Sequence, residues 1–439
     1  MTALLGQILR SALDGDGSAV PIVHRTTVRA LVRCRTGELG HLLYACPDCG
    51  DVKSIPRSCG NRHCPQCQGR LARVWLERQE SDLLETPYFH VVCTLPHVLL
   101  PLCAGHPRQV YALLFEAASQ MLLRLGRERL GGQIGITAIL HTWGQQLTLH
   151  PHVHCIVTGG ALSPPGRWQP VKSRHYLFPV GAMSAVVRGK FLHGLTALRK
   201  QGAVSAPPGG WPKLWRQLGE AKRWVVYGRP PFAGPASVLA YLSNYTHRVA
   251  ISERRIERFD TEANTVAFTY RDYADHGVKK TATLSTRTFV RRFCQHLLPR
   301  SFTKIRHYGL LANHLRRARI PLARTAIAQT QPRRACTPRN LQGVAVPALL
   351  SSLQNRRTHL HRHPPSQRPP DHARSHHRPP ASPRCSSLIA ERLLLFHPPY
   401  FCRRRLRPRL RTVAPLCLPN PVHQHSNAPL PASTVEKSP

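Results

Sequence analysis

Two Cys-x-x-Cys knuckles set the first limit on how this chain folds. Cys46-Pro-Asp-Cys49 and Cys64-Pro-Gln-Cys67 share one form, and fourteen residues separate Cys49 from Cys64. A two-residue spacer lets both thiolates of a knuckle reach one ion, and two knuckles complete a tetrahedral shell. The separation falls just short of the about 15–20 residues usual for a four-cysteine zinc site. Cys46, Cys49, Cys64 and Cys67 are therefore expected to share one structural Zn²⁺, with no position open to substrate. Cys59 and His63 lie between the knuckles. Either is an alternative ligand, and His63 reads equally as a loop histidine satisfied by hydrogen bonds. Arg57, Arg62, Arg70 and Arg73 surround the cluster, which suits contact with DNA phosphates.

A second motif carries reactive chemistry. Leu149–Val157 reads Leu-His-Pro-His-Val-His-Cys-Ile-Val, and Gly159-Gly160 ends it. The β-branched second half predicts a strand. Residues two apart on a strand face the same way, so His152 and His154 project together. Two adjacent imidazoles make half a site for a divalent metal; the competing reading is chance pairing in a chain with 26 histidines. Farther on, Tyr241 and Tyr245 stand four residues apart in Val238–Tyr245, which places them one helical turn from each other. A phenol beside a metal-polarised phosphate is a nucleophile. Val238, Tyr241, Leu242 and Tyr245 also form an apolar stripe of the kind that usually packs into a core.

The formal charge of +41, from 62 Lys+Arg against 21 Asp+Glu, suits a polyanion, and nucleic acid fits best. No apolar run is long enough to span a bilayer and no cleavable leader is visible, so an intracellular setting is expected. Fourteen cysteines in that setting favour metal binding over disulfides.

Along the chain, Ile8, Leu9 and Leu13, and then Val28, Leu31 and Val32, predict two small helices. Residues from Gly69 to about Glu85 form a charged amphipathic helix whose apolar side is Leu71, Val74, Trp75, Leu83 and Leu84. Tyr88–Leu95 predicts a buried strand, Gln109–Arg129 a helix, and Ile134–Trp143 a strand paired in a hairpin with His150–Val157. Pro151 fits an edge position or a strand start. Helices are expected at Phe191–Lys200, Ala236–Tyr245 and Thr286–Leu297, a strand at Arg248–Ile256, and a hairpin of Thr265–Tyr270 with Lys280–Leu284. Ile305–Leu311 is expected to close the ordered part. From about Arg333 the only acids are Asp371, Glu391 and Glu436, among many prolines. That composition builds no core. It reads as sequence translated out of its ancestral frame, or as a basic arm that holds DNA.

Taken together the chain resembles the two-tyrosine, rolling-circle transposases of bacterial insertion sequences (the IS91-like group), whose nuclease belongs to the histidine–hydrophobe–histidine superfamily. Tyr44–Gln68 resembles their zinc-binding domain and Pro87–Leu95 their first nuclease strand. His141–Gly160 resembles the metal motif, Pro230–Ile256 the tyrosine motif, and Arg306–Asn313 the closing block. The resemblance covers about residues 25–320 and fades beyond.

It implies an α+β fold: a zinc-binding module over residues 1–86, an antiparallel-sheet nuclease flanked by helices over 87–320, and a disordered tail over 321–439. It implies that His152 and His154 bind Mg²⁺ or Mn²⁺ with a third ligand, Gln145 first and His150 or His141 as alternatives. It further implies that Tyr241 or Tyr245 attacks single-stranded DNA at the ends of an insertion sequence. A non-catalytic zinc-containing DNA binder and a replication initiator or relaxase with the same chemistry are the rival readings. A water-using metal hydrolase is disfavoured because no carboxylate stands near His152 in the sequence.

Overall fold

Short amphipathic segments build the N-terminal part. In the computed structural model, α1 (Leu4–Asp14) and α2 (Ile22–Val32) precede a hairpin of β1 (His41–Ala45) and β2 (Val52–Pro56). Next comes α3 (Pro65–Glu80). It begins inside the second knuckle, because Cys64 takes the extended cap position and Pro65, which lacks an N–H, fits the first turn. The structure describes residues 3–330 other than 16, 47–48, 174, 222, 233–236, 239–240 and 242–249. Tyr245, most of the helix expected around it, and the Pro/Arg/His-rich stretch from 331 onward lie outside those residues.

The chain then lays down β3 (Tyr88–Thr94), α4 (Leu100–Gly105), α5 (Pro107–Leu130), β4 (Gly135–Trp143) and β5 (Leu149–Thr158). A small hairpin, β6 (Gly160–Leu162) and β7 (Trp168–Pro170), leads to α6 (Val180–Lys200), α7 (Gly210–Glu220) and β8 (Val226–Arg229). β9 (Ile256–Asp260), β10 (Thr265–Asp272) and β11 (Val278–Ser285) form a three-stranded meander that runs into α8 (Thr286–Cys294). β12 (Ile305–Gly309) and α9 (Arg316–Thr330) complete the described chain.

The fold is α+β, with an N-terminal cysteine cluster and a five-stranded sheet in the order β12-β4-β5-β3-β8, antiparallel at every described pairing. Alternation decides what each face meets. Val153, Cys155 and Val157 of β5 join Phe89, Val91 and Cys93 of β3 in the main core, packed with α5 and α6. The opposite face carries Ile139, Ile156 and Tyr88, covered by Val238 and by Trp75 and Leu76 of α3. The histidines of the β4–β5 hairpin project from this second face.

A second core joins distant parts of the sequence. Ile8, Leu9 and Val28 of the first two helices pack with Val266 and Phe268 of β10 and Phe289 and Phe293 of α8. Glu253 Oε1 accepts a hydrogen bond from the Leu5 N–H at 3.2 Å, which serves the open N-terminus of α1.

Two expectations meet corrections, while Pro151 takes one of its two expected places, near the start of β5 and just before the β3 register begins at His152 opposite Thr94. The β4–β5 register slips between His141 and Trp143, so the missing N–H falls where the ladder is already broken. Arg248–Ile256 is not a strand over its described residues before Ile256. Glu253–Arg255 is a 3₁₀ turn, and the Arg255 side chain rather than its backbone meets β10, donating to the Thr269 carbonyl at 2.7 Å. The ordered part also continues past Leu311 into α9, whose Ile320, Ala323 and Ile327 pack on Leu84, Leu310 and Leu311.

Candidate metal centres and active site

Four thiols converge, but they are not the four that the knuckles predict. Cys34, Cys59, Cys64 and Cys67 bring their sulfurs within 4.8 Å of one another. Cys34 follows α2, Cys59 follows β2, and Cys64 and Cys67 open α3. Cys34 to Cys67 and Cys59 to Cys67 are each 3.7 Å, and Cys64 to Cys34 is 3.5 Å. A tetrahedral ion with Zn–S bonds of about 2.3 Å needs sulfurs about 3.8 Å apart, so the set fits Zn²⁺ closely. Backbone N–H groups of Cys59 and Asn61 donate to the sulfurs of Cys34 and Cys59 at 3.5 and 3.4 Å. Thiolates also repel one another here. Burial pushes Cys34 up to about 11, while a hydrogen bond with Cys64 leads the effects that draw Cys59 down to about 5. A dication removes that conflict.

Cys46 and Cys49 stand at the tip of the β1–β2 hairpin, outside the cluster, and Cys49 is exposed. The ladder is the cause. It runs in register up to Ala45 opposite Val52, so the first knuckle becomes the hairpin's turn. His63 is a satisfied loop histidine. Its Nε2 accepts from the Leu298 N–H at 3.0 Å, and burial holds it down to about 3.

On the second face of the main sheet, strand register gathers five side chains. His141 stands directly opposite His152, and Ile139 and Val92 flank His154 from either side. The ligand nitrogens of His141, His152 and His154 all lie within 4.8 Å of one another. His152 Nδ1 donates to the His150 carbonyl at 2.6 Å, which fixes its tautomer and turns Nε2 toward ligation. Gln145 lines the same cavity as these histidines. Its Oε1 accepts from the Arg271 N–H at 3.5 Å, and its carbonyl accepts from Arg255. His141, one of the alternatives, converges with His152 and His154; the His150 ring lies 5.1 Å from that of His152, and its carbonyl accepts from His152 Nδ1.

Tyr241 Oη lies 3.0 Å from both His90 Nε2 and His154 Nδ1, and those two nitrogens are 2.8 Å apart. His90 comes from β3, and its ring stacks on His154 with centroids 5.1 Å apart. Sequence reasoning treated that strand as core and missed His90. The available signal was alternation: His90, Val92 and Thr94 share the face that pairs with the His152–His154 face.

Burial dominates the electrostatics. It holds His152 down to about 4 and His154 to about 2. His90 is held to about 4 by burial first, then by Arg229 and His152. All three are neutral at physiological pH, the form that ligates metal. The cavity over them, about 1020 Å³, is lined by Arg229, Arg255, Arg271 and Lys279 and, among the described residues, by one carboxylate, Asp272, which Lys280 engages at 2.9 Å. Such a surface is complementary to phosphate.

Comparison with known proteins identifies the family. Residues 9–95 match the family described as "Transposase zinc-binding domain", and residues 135–319 the family described as "Putative transposase". The chain is 38% identical over 332 residues to "Putative transposase y4qJ" of Sinorhizobium fredii, covering 73% of this chain and 82% of that protein. It is 29% identical over 311 residues to "Transposase for insertion sequence element IS801" of Pseudomonas savastanoi pv. phaseolicola, covering 70% of this chain and 74% of that one. No solved structure matches the chain significantly. The zinc-type thiol cluster, the cationic histidine site and these two relationships place the chain in the IS91-type family of insertion-sequence transposases.

Proposed function

We propose that this transposase cuts and rejoins single-stranded DNA through a 5′-phosphotyrosine, the step on which rolling-circle transposition of an insertion sequence rests. The observation that carries the reading is Tyr241 Oη at 3.0 Å from two histidines, beside three convergent imidazoles. His141, His152 and His154 would hold the divalent cation. Imidazole is a borderline donor, so of the two expected ions the set favours Mn²⁺ over Mg²⁺. Bound there, the cation polarises a phosphodiester oxygen and makes the phosphorus more electrophilic.

The protein's own groups supply the rest. His154 would hold the cation through Nε2, which would leave its ring proton on Nδ1, the atom that faces Tyr241 and His90. His90 Nε2 is then the lone pair that receives the phenol proton, at 3.0 Å. Tyr241 Oη bonds to phosphorus, the P–O3′ bond breaks, and the departing oxygen takes a proton from water to become a 3′-hydroxyl. The 5′-phosphate stays on Tyr241 and conserves the bond energy for rejoining. Arg229, lining the same cavity, is suited to a neighbouring phosphate. Tyr245, outside the described residues, is assigned as the second nucleophile.

The test uses a 3′-labelled single strand carrying the element's end, incubated with Mn²⁺ and resolved under denaturing conditions. The wild-type protein is expected to carry label covalently. His152→Ala is expected to abolish the adduct and leave salt-sensitive binding nearly intact. Tyr241→Phe combined with Tyr245→Phe keeps ring packing and removes both hydroxyls. An adduct formed by that double variant refutes the assignment.

A further inference from the structure

We infer that a second cleft, between α3 and the β4–β12 side of the main sheet, is a binding track for single-stranded DNA leading to the histidine site. The inference rests on the DNA substrate proposed above but not on the tyrosine chemistry. The cleft has a volume of about 860 Å³. Arg35, Arg70 and Arg78 line it with Lys304, and no carboxylate does among the described residues.

Its other lining is apolar and aromatic. Arg70, Leu71, Val74, Trp75 and Arg78 recur along one side of α3 and face this space. The sequence predicts Leu71 and Val74 for a buried helix side, yet they are 40% and 39% exposed. A helix face mixing arginines with uncovered apolar groups is poorly suited to a protein core. It is well suited to bases that stack while their phosphates meet cations. Trp143 stands across the cleft and, with Ala250, also lines the histidine cavity. The Trp143 ring stacks on His141 at 5.0 Å, so one wall serves both spaces.

The cations differ in their commitments. Arg62 is anchored, donating to the carbonyls of Leu298, Pro299 and Phe302. The side chains of Arg70 and Arg78 make no hydrogen bond or ion pair among the described residues, and both are exposed. Lys304 is half-buried at the cleft floor. Burial, and then Arg62, hold it down to about 7, so an approaching phosphate restores its full charge.

The experiment measures binding alone, in the full-length His152→Ala background where cleavage does not intervene. Fluorescent oligo-dT strands of about 5 and about 16 nucleotides, spanning the usual range of single-strand site sizes, are titrated at several salt concentrations. Arg70→Ala with Arg78→Ala should lower the log K–log[salt] slope on the long strand by about 1.4, at roughly 0.7 for each phosphate no longer neutralised. Trp75→Ala should weaken the long strand at least about five-fold. The short strand should be bound by all variants as before, and unchanged zinc content with a cooperative melting transition should establish that they are folded, at a lower temperature for Trp75→Ala, whose ring also packs on the sheet face. Unchanged affinity and slope on the long strand overturn the inference. An equal loss on duplex DNA overturns the single-strand assignment. Neither result depends on whether a phosphotyrosine forms.

Discussion

Cys34 lies twenty-five residues ahead of Cys59 and belongs to no knuckle. Its place in the thiol cluster comes from the return of α2 against the start of α3, which no spacing rule encodes. Zinc content checks this assignment. Cys34→Ser removes a ligand from a closed shell and should lower the metal below one per chain, with greater protease sensitivity of the N-terminal part. Structural zinc is worth on the order of 10–16 kcal/mol to such a module, so losing one ligand is not a small change. Cys49→Ser, at an exposed hairpin tip, should keep full zinc. The reverse pattern would return the site to the two knuckles. Cys64, Cys67, His152, His154 and Tyr241 were legible in the sequence because each belongs to a short-range pattern. Cys34, His90 and the place of His141 were set by chain return and strand register.

At the scale of elements, the β4–β5 hairpin was readable to within a residue or two, because its apolar runs and the Gly144 turn agree. Once that pairing is granted, His141 opposite His152 follows from counting residues. Ile305–Leu311 was expected only to close the ordered part; neither its strand, β12, nor the device that ends it was foreseen. Gly309 holds φ at +62°, and a Cβ there would collide with the Ile134 carbonyl oxygen. That carbonyl accepts from the Leu310 N–H at 3.0 Å, so the backbones cannot part without losing a hydrogen bond. Gly309→Ala should therefore destabilise the protein by at least about 2 kcal/mol, the left-handed penalty plus the clash. Denaturant melts of the two proteins measure it directly. A loss under about 0.5 kcal/mol, the usual range of a neutral substitution, would mean that the strand end is looser than this packing implies.

At the scale of the whole molecule, every ligand and nucleophile assigned here precedes residue 331. Truncation after Gln331 should keep strand cleavage and cost at most some salt-sensitive affinity, read by the labelled-strand assay with and without added salt. Loss of cleavage would make the basic C-terminal stretch a working part. Long-range architecture was the least legible level, because the second core joins α1 and α2 to β10 and α8 with four of the five main-sheet strands lying between them in the sequence. That joining is expected to order events during synthesis. As the N-terminal helices leave the ribosome, the residues that bury Ile8, Leu9 and Val28 have not been made. At about 5–20 residues per second, the delay before Phe293 emerges is on the order of 15–50 s. The four clustered thiols lie within residues 34–67, so zinc is able to fasten the nascent module throughout that wait. Metal shortage during translation is therefore expected to lower the share of newborn chains that reach the folded state.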